Sequence, residues 1–265
     1  MQPRELEQRI AAFPAWRYEF QFETGVTTPV ADRGLVNRQA QRHRYLFPRL
    51  LALSDGSLRG RRVLDLGCNA GFWGLHAIEA GADFVLGIDA QQSYLDQAEL
   101  VFEASGVEAG RYRFERADVF ACTPGTDFDV VLCLGLLDHV AKPTELFELI
   151  ARVDPQVVLI DTEVSRARAS LFELARLYDA RDAVGSPLVL IPTRAAVAQM
   201  AGEHGFESVA LALDISDFAG MSDYRRHRRL GFICAKGVSL AGLAEQPRRG
   251  VIPWWLRDPR ALLSI

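Results

Sequence analysis

The residues best suited to chemistry are acids and one histidine placed where apolar runs end. Val63-Leu64-Asp65-Leu66-Gly67-Cys68-Asn69-Ala70-Gly71 joins an apolar run to a glycine turn, Val85-Leu86-Gly87-Ile88-Asp89 closes on an acid, and Ala117-Asp118-Val119 closes a third run. Asp89 lies 22 residues after Gly67, the separation at which an acid on the neighbouring strand tip takes both hydroxyls of a ribose. Asp118 is placed to meet an adenine amine. One acid at a strand end is commonplace, whereas three on successive strands beside a glycine loop point to a nucleoside site. A further pair, Asp138-His139, follows the run Val130 to Leu137. An imidazole that titrates near neutrality can take a proton from an acceptor.

The loop discriminates among nucleoside ligands. A nicotinamide fingerprint needs glycine at positions 69 and 72 as well as at Gly67, but the chain has Asn69 and Phe72 there. A phosphate-cradling loop would continue Gly-Lys-Ser/Thr, and this one does not. No Lys or Arg stands in the loop to neutralise Asp65, so its carboxylate is expected to repel a pyrophosphate and attract a cation. S-adenosyl-L-methionine carries an ammonium and a sulfonium and no phosphate, and is the ligand these residues favour.

These side chains need a scaffold. From Arg61 onward, β-branched apolar runs alternate with amphipathic stretches, the pattern of βαβ units and a parallel sheet. Strands are expected near 62–66, 83–88, 112–117, 128–134, 156–162, 207–213 and 229–235, with helices near 72–80, 93–105, 143–152, 167–180 and 193–204. A helix over 35–52, whose Leu35, Ala40, Tyr45, Leu46 and Leu50 share a face, belongs to a locally basic segment. The expected organisation is an amino-terminal helical extension or lid over 1–60, a cofactor-binding domain over 61–237 and a tail over 238–265. Trp254 and Trp255 in that tail are expected to pack back on the domain or to seal a homodimer.

Composition sets outer bounds. The chain has 265 residues, 49% hydrophobic and 24% charged, which suits a soluble globular protein. Its longest apolar stretches fall short of the roughly 20 residues that span a bilayer. Met1 to Arg9 leads into no apolar leader, so a cytoplasmic location is expected. Cys68, Cys122, Cys133 and Cys234 stand far apart, against a zinc site or disulfide framework, and no metal is expected. The net charge of −4 argues against a nucleic-acid partner.

Asp-x-Gly-x-x-x-Gly followed by Gly87-Ile88-Asp89 resembles the class I S-adenosylmethionine-dependent methyltransferases over about residues 60–236. The resemblance implies an α/β Rossmann-like sheet of seven strands with helices on both faces. Six strands would be parallel, and the last antiparallel, inserted between the fifth and sixth. Asn69 replaces a glycine of most relatives, but asparagine tolerates a left-handed backbone. Within that class the chain is most similar to the tRNA wobble-uridine (carboxy)methyltransferase-like branch. The likeness lies in Gly87-Ile88-Asp89-Ala90-Gln91-Gln92, Leu134-Gly135-Leu136-Leu137-Asp138-His139, Leu190-Ile191-Pro192-Thr193 and Gly205-Phe206, with Trp16 and Gly25-Val26 upstream. The tRNA enzyme uses a carboxylated donor and has tyrosine where this chain has Asp138. The aspartate would oppose that carboxylate, so ordinary methyl transfer is expected.

The cofactor residues implied are Asp65, Gly67, Cys68, Asn69, Gly71, Phe72, Asp89, Ala90, Asp118, Val119 and Leu134. The expected activity is methyl transfer to a small-molecule hydroxyl, releasing S-adenosyl-L-homocysteine, with His139 as base and Asp138 orienting it. Trp16, Tyr18 and Arg38 from the extension are expected at the acceptor. So are Arg225 and Arg229 of Tyr224-Arg225-Arg226-His227-Arg228-Arg229, whose forked donors suit an anionic group. His76 reads as packing, and His43 and His204 as solvated. The alternatives are a tRNA-modifying enzyme and an inactive, cofactor-binding partner subunit.

Overall fold

The computed structural model describes residues 1–176 and 188–243. Seven strands form one sheet: β1 (Arg62–Leu66), β2 (Phe84–Asp89), β3 (Tyr112–Arg116), β4 (Val130–Leu134), β5 (Val157–Glu163), β8 (Glu207–Ala210) and β9 (Arg229–Ala235). Their order is β3-β2-β1-β4-β5-β9-β8. β9 runs antiparallel to both β5 and β8, while the pairs among β1 to β5 are parallel. Strands covered on both faces read as unbroken apolar runs. β4 and β9 are buried at every position, and the edge strand β3 at none.

Successive side chains of a strand serve opposite faces. Val63, Val85, Leu132 and Leu159 join one core with α1 (Pro3–Ala11), α2 (Arg33–Leu51), α3 (Phe72–Glu79) and α4 (Gln92–Ala104). Leu64, Leu86, Val131 and Val158 join the other with α5 (Pro143–Val153) and α6 (Arg194–Glu203). The amino-terminal segment shares the main core, because Tyr45, Leu46 and Leu50 of α2 are wholly buried against the sheet. Glycine is needed at 231 on β9, where a Cβ would lie 2.5 Å from Leu46. There the Tyr45 hydroxyl accepts from the Gly231 N–H at 3.2 Å and donates to the Leu211 carbonyl at 3.0 Å. α2 is thereby fixed across β9.

The segment expected as a helix over 167–180 is different. Phe172–Arg176 forms β6, paired antiparallel with β7 (Leu188–Pro192), with Leu174 opposite Leu190. Leu171 and Leu174 sit at helical spacing, but the β-branched and apolar run after 187 supplies a pairing partner, and long-range pairing overrides a weak local preference. Residues 177–180 of that expectation, and the Trp254-Trp255 tail, lie outside the described residues. α1 and the short α7 (Ser222–Arg225) were not anticipated. No described helix is long and apolar enough to cross a membrane.

Candidate active site

Strand order reverses between β1 and β4, and an open α/β sheet leaves a crevice outside the carboxyl ends of its strands at that point. A cavity of about 450 Å³ lies there. After β1 the chain turns through Gly67 (φ 72°), Asn69 (50°) and Gly71 (76°), three left-handed residues that bring backbone N–H groups under the cleft. Gly71 must be glycine: a Cβ would meet Phe102 at 2.9 Å and Ala98 at 3.2 Å, both on α4. The turn is bound to β2, since Gly67 and Cys68 both donate their N–H to the Ile88 carbonyl at 2.8 and 3.1 Å.

Asp89 completes the tie. Its Oδ2 accepts from the Asn69 N–H at 3.0 Å and its Oδ1 from the Gln91 N–H at 2.9 Å, leaving each oxygen a further lone pair. Burial raises the proton affinity of this carboxyl against those bonds. Asp118 takes the Phe120 N–H at 3.0 Å, which fixes the turn beyond β3. Gly67, Asn69, Asp89, Ala90, Asp118, Val119 and Leu134 all line the cavity, as do Tyr18, Arg38, Arg229 and His139.

Other expected residues stand elsewhere. Asp65 is buried beneath the turn, with Oδ2 unpartnered and near Gly74 of α3. Burial pushes its carboxyl up to about 7, so it is not the exposed charge expected of it. Cys68 is buried with Sγ against Gly87, and Gly71 faces α4. Phe72 stacks on Tyr18, rings 4.9 Å apart and nearly parallel. Trp16 is buried and donates Nε1–H to the Ile10 carbonyl at 3.2 Å. Arg225 is exposed on α7 and does not line the cavity. His43, expected in solvent, is half-buried with its ring 4.0 Å from that of His76. Burial followed by the His76 neighbour lowers its proton affinity to about 4.

Behind the cleft lies a buried ion network. Arg42 donates from Nη2 to Asp161 Oδ2 at 2.6 Å and to the Leu134 carbonyl at 3.2 Å, and its guanidinium lies 5.2 Å from the Trp73 ring. The Tyr224 hydroxyl donates to the other Asp161 oxygen at 2.6 Å. Arg229 pairs with Asp138, reaches Asp161 at 3.5 Å and donates Nε–H to Asp223 at 3.0 Å. Arg38 forks onto both Asp223 oxygens at 2.8 and 2.6 Å. Burial alone would raise Asp138, but Arg229 beside it holds the carboxyl below its ordinary range. Arg229 is therefore committed to aspartates, not free for an anionic acceptor, and Asp138 is neutralised and removed from the cleft wall.

His139 ends the short turn Leu137–His139 after β4. Its Nε2 is 3.7 Å from Asp138 Oδ2, beyond a hydrogen bond but well within electrostatic range. Nδ1 is buried with no partner. Asp161, Glu163, Asp223 and Tyr224 escape a reading of the sequence alone. Asp161 carries a visible sign, an acid inside the apolar strand Val157-Val158-Leu159-Ile160-Asp161. Asp223 and Tyr224 carry none, being part of what reads as a charged loop.

A doubly covered sheet of this order, with an antiparallel strand inserted near its end, is the Rossmann-like class I methyltransferase fold. Residues 63–154 match the family model described as a methyltransferase domain. A ubiquinone biosynthesis O-methyltransferase of Bordetella avium (strain 197N) is 40% identical over 91 residues, 34% of this chain and 37% of that protein. One of Neisseria meningitidis serogroup C is 32% identical over 130 residues, 48% of this chain and 55% of that protein. The chain thus matches between about a third and about half of the length of these curated relatives. Both carry names for ubiquinone O-methylation, not tRNA modification. Among solved structures, the N-terminal domain of EvdMO1 with SAH bound has a TM-score of 0.69 at 23% identity, over 89% of this chain and 98% of that one. Magnesium protoporphyrin IX methyltransferase from Synechocystis PCC 6803 with bound SAH has a TM-score of 0.54 at 18% identity, over 77% and 85%.

Proposed function

We propose that this chain is an S-adenosyl-L-methionine-dependent methyltransferase that acts on a hydroxyl oxygen of a small molecule. The observation that carries the reading is the wall between Gly67 and Asp89. It offers a left-handed glycine turn and a carboxylate, and residues 67–71 of the turn include no lysine or arginine. A dinucleotide would set its pyrophosphate on the turn, where Asn69 and Phe72 stand in place of two fingerprint glycines, whereas a phosphate-free nucleoside fits. Asp89 would hold the ribose hydroxyls, Val119 and Phe120 would flank the adenine with Asp118 at its edge, and the Gly67 turn would face the amino-acid end.

When bound, the cofactor supplies an electrophilic methyl carbon on a sulfonium, and transfer leaves a neutral thioether. The protein's share is alignment and proton removal. His139 would take the acceptor's hydroxyl proton on its imidazole, freeing the oxygen lone pair for that methyl carbon. Leu136, Val140 and Ala141 line the cleft beside His139, a wall that suits an acceptor with an apolar body and excludes water. The names of the curated relatives support oxygen as the methylated atom. With Arg229 committed and Arg225 outside, Arg38 is the one expected arginine left to support an anionic acceptor, and it is itself paired with Asp223. Neither tRNA modification nor an inactive scaffold gains support from the geometry.

The test is transfer of labelled methyl from S-adenosyl-L-methionine to a panel of hydroxylated aromatics such as catechol, 3,4-dihydroxybenzoate and caffeate. Labelled O-methyl product is expected. Cofactor binding without transfer to any hydroxylated compound would overturn the oxygen assignment.

A further inference from the structure

The run Tyr224-Arg225-Arg226-His227-Arg228-Arg229 is only partly absorbed by the cleft. Arg229 turns inward to the aspartates, whereas Arg225, Arg226 and Arg228 are exposed. The Arg228 carbonyl accepts the Val164 N–H at 2.7 Å, and the next residue, Ser165, donates its N–H to the Pro192 carbonyl at 2.8 Å. The arginine turn therefore adjoins both the loop after β5, which carries the exposed Arg166, and the root of the β6–β7 hairpin.

That hairpin is a two-stranded sheet of its own, and it grows more exposed with distance from its root. Phe172, Leu174 and Arg176 share one face with their cross-strand partners Pro192, Leu190 and Leu188. Pro192 is buried, Phe172 and Leu190 are half-buried, and farther out Leu174 is 65% and Leu188 42% exposed. Leu171, at the foot of β6, is 38% exposed. Among the described residues one other large apolar side chain, Met1, is as open as these, so their concentration on one hairpin is unlike the single scattered residues of an ordinary surface. β7 packs against the Leu137–His139 turn, which sets this leucine ridge beside the cleft.

We propose that the leucine ridge and the neighbouring arginine turn form a docking surface for an anionic lipid bilayer. Such a pairing supplies the two attractions that hold a protein at a membrane interface, apolar area for the acyl boundary and positive charge for the headgroups. The chain as a whole carries −4, so the positive charge is a local property of this edge. Acids of the same edge do not cancel it. Asp223 is held by Arg38 and Arg229, Glu163 lies 3.9 Å from Arg229, and Glu173 alternates to the hairpin face opposite Leu174. Leucines give nucleobases nothing to stack on, and a two-fold contact between copies through the ridge would set two arginine turns at one interface. A bilayer meets neither objection. Docked this way, the cleft opens beside the lipid phase, which on the methyltransferase reading is where an acceptor with an apolar body dissolves.

The test is co-sedimentation of the full chain with vesicles of phosphatidylglycerol and phosphatidylcholine in equal parts, read without cofactor or acceptor, so that it stands or falls apart from the methyltransferase reading. The chain is expected to pellet with these vesicles, to stay in solution with phosphatidylcholine alone, and to be released by about 0.5 M salt, which screens the headgroup attraction. The double variant Arg225→Ala, Arg226→Ala should weaken vesicle binding about twentyfold, and Leu174→Asp about tenfold or more. All three side chains are exposed, so both variants should keep the native melting temperature. A chain that stays in solution with the anionic vesicles would overturn the proposal, as would vesicle binding indifferent to both variants. Failure to bind vesicles together with retention of transfer RNA on a filter would assign the arginines to nucleic acid instead. Failure to bind vesicles together with a dimer that Leu174→Asp dissociates would assign the ridge to a second copy.

Discussion

Arg42 of α2 and Asp161 of β5 form a 2.6 Å ion pair in which the aspartate is wholly buried and the arginine nearly so. Two chain segments 119 residues apart meet there, so the amino-terminal segment contributes to the cleft through a bond that cannot be exchanged for water. Removing one partner of such a pair strands the other, at a cost of roughly 3–5 kcal/mol. Asp161→Asn should therefore lower the melting temperature by about 10 °C, given roughly 2–4 °C per kcal/mol for a chain of this size. Tyr224→Phe deletes a donor to the same carboxylate and should cost about 1–3 kcal/mol. Thermal unfolding of the two variants checks the order, and equal losses would contradict it.

His139→Ala should lower turnover about a hundredfold or more, since a positioned base contributes roughly 10²–10⁴. Affinity for S-adenosylhomocysteine should stay within about twofold, because no cofactor contact is assigned to the imidazole. An unchanged rate would reduce His139 to part of the wall.

Arg225→Ala and Arg229→Ala should part company. Arg225 is exposed and outside the cavity, so its loss should leave both melting temperature and turnover within error. Arg229 holds three aspartates, and its loss should destabilise the fold by several degrees and suppress turnover. Parallel behaviour of the two would contradict the assignment of Arg229 to the network.

Asp65 makes stability depend on pH in an unusual direction. Burial raises its folded-state value to about 7 from the ordinary 3.8. Its contribution is thus fully present below about pH 4 and is lost as pH rises through about 7. Asp65→Asn, which carries no charge, should gain stability relative to the native chain over that window and hold a constant margin above it. Asp223 acts oppositely. Against the upward pull of burial, Arg38 and Arg229 hold it at about 2, so its stabilisation is present above about pH 4 and lost as pH falls through 2. Melting curves from pH 2 to 8 for Asp65→Asn and Asp223→Asn separate the two.

Much of this architecture is legible in local pattern. The seven strands of the main sheet and the helices α2 to α6 follow from periodicity, and the cleft residues Gly67, Asn69, Asp89, Ala90, Asp118 and Val119 follow from loop and strand-tip positions. What escapes is what depends on distant partners. β6 reads as helix until β7 pairs with it, and Arg229 reads as a surface charge until Asp138, Asp161 and Asp223 converge on it. Asp65 illustrates a subtler failure. The spacing identifies the right turn, but which way a strand residue points depends on the face that α3 covers, and Asp65 points toward α3.

The most direct test of the central claim is calorimetric titration of the chain with S-adenosylhomocysteine and, separately, with NAD. The thioether nucleoside should bind in a one-to-one ratio, and Asp89→Ala, which removes the carboxylate proposed to hold the ribose hydroxyls, should weaken it roughly a hundredfold, while NAD gives no heat. Binding of NAD in preference, or S-adenosylhomocysteine affinity indifferent to Asp89, would contradict the account.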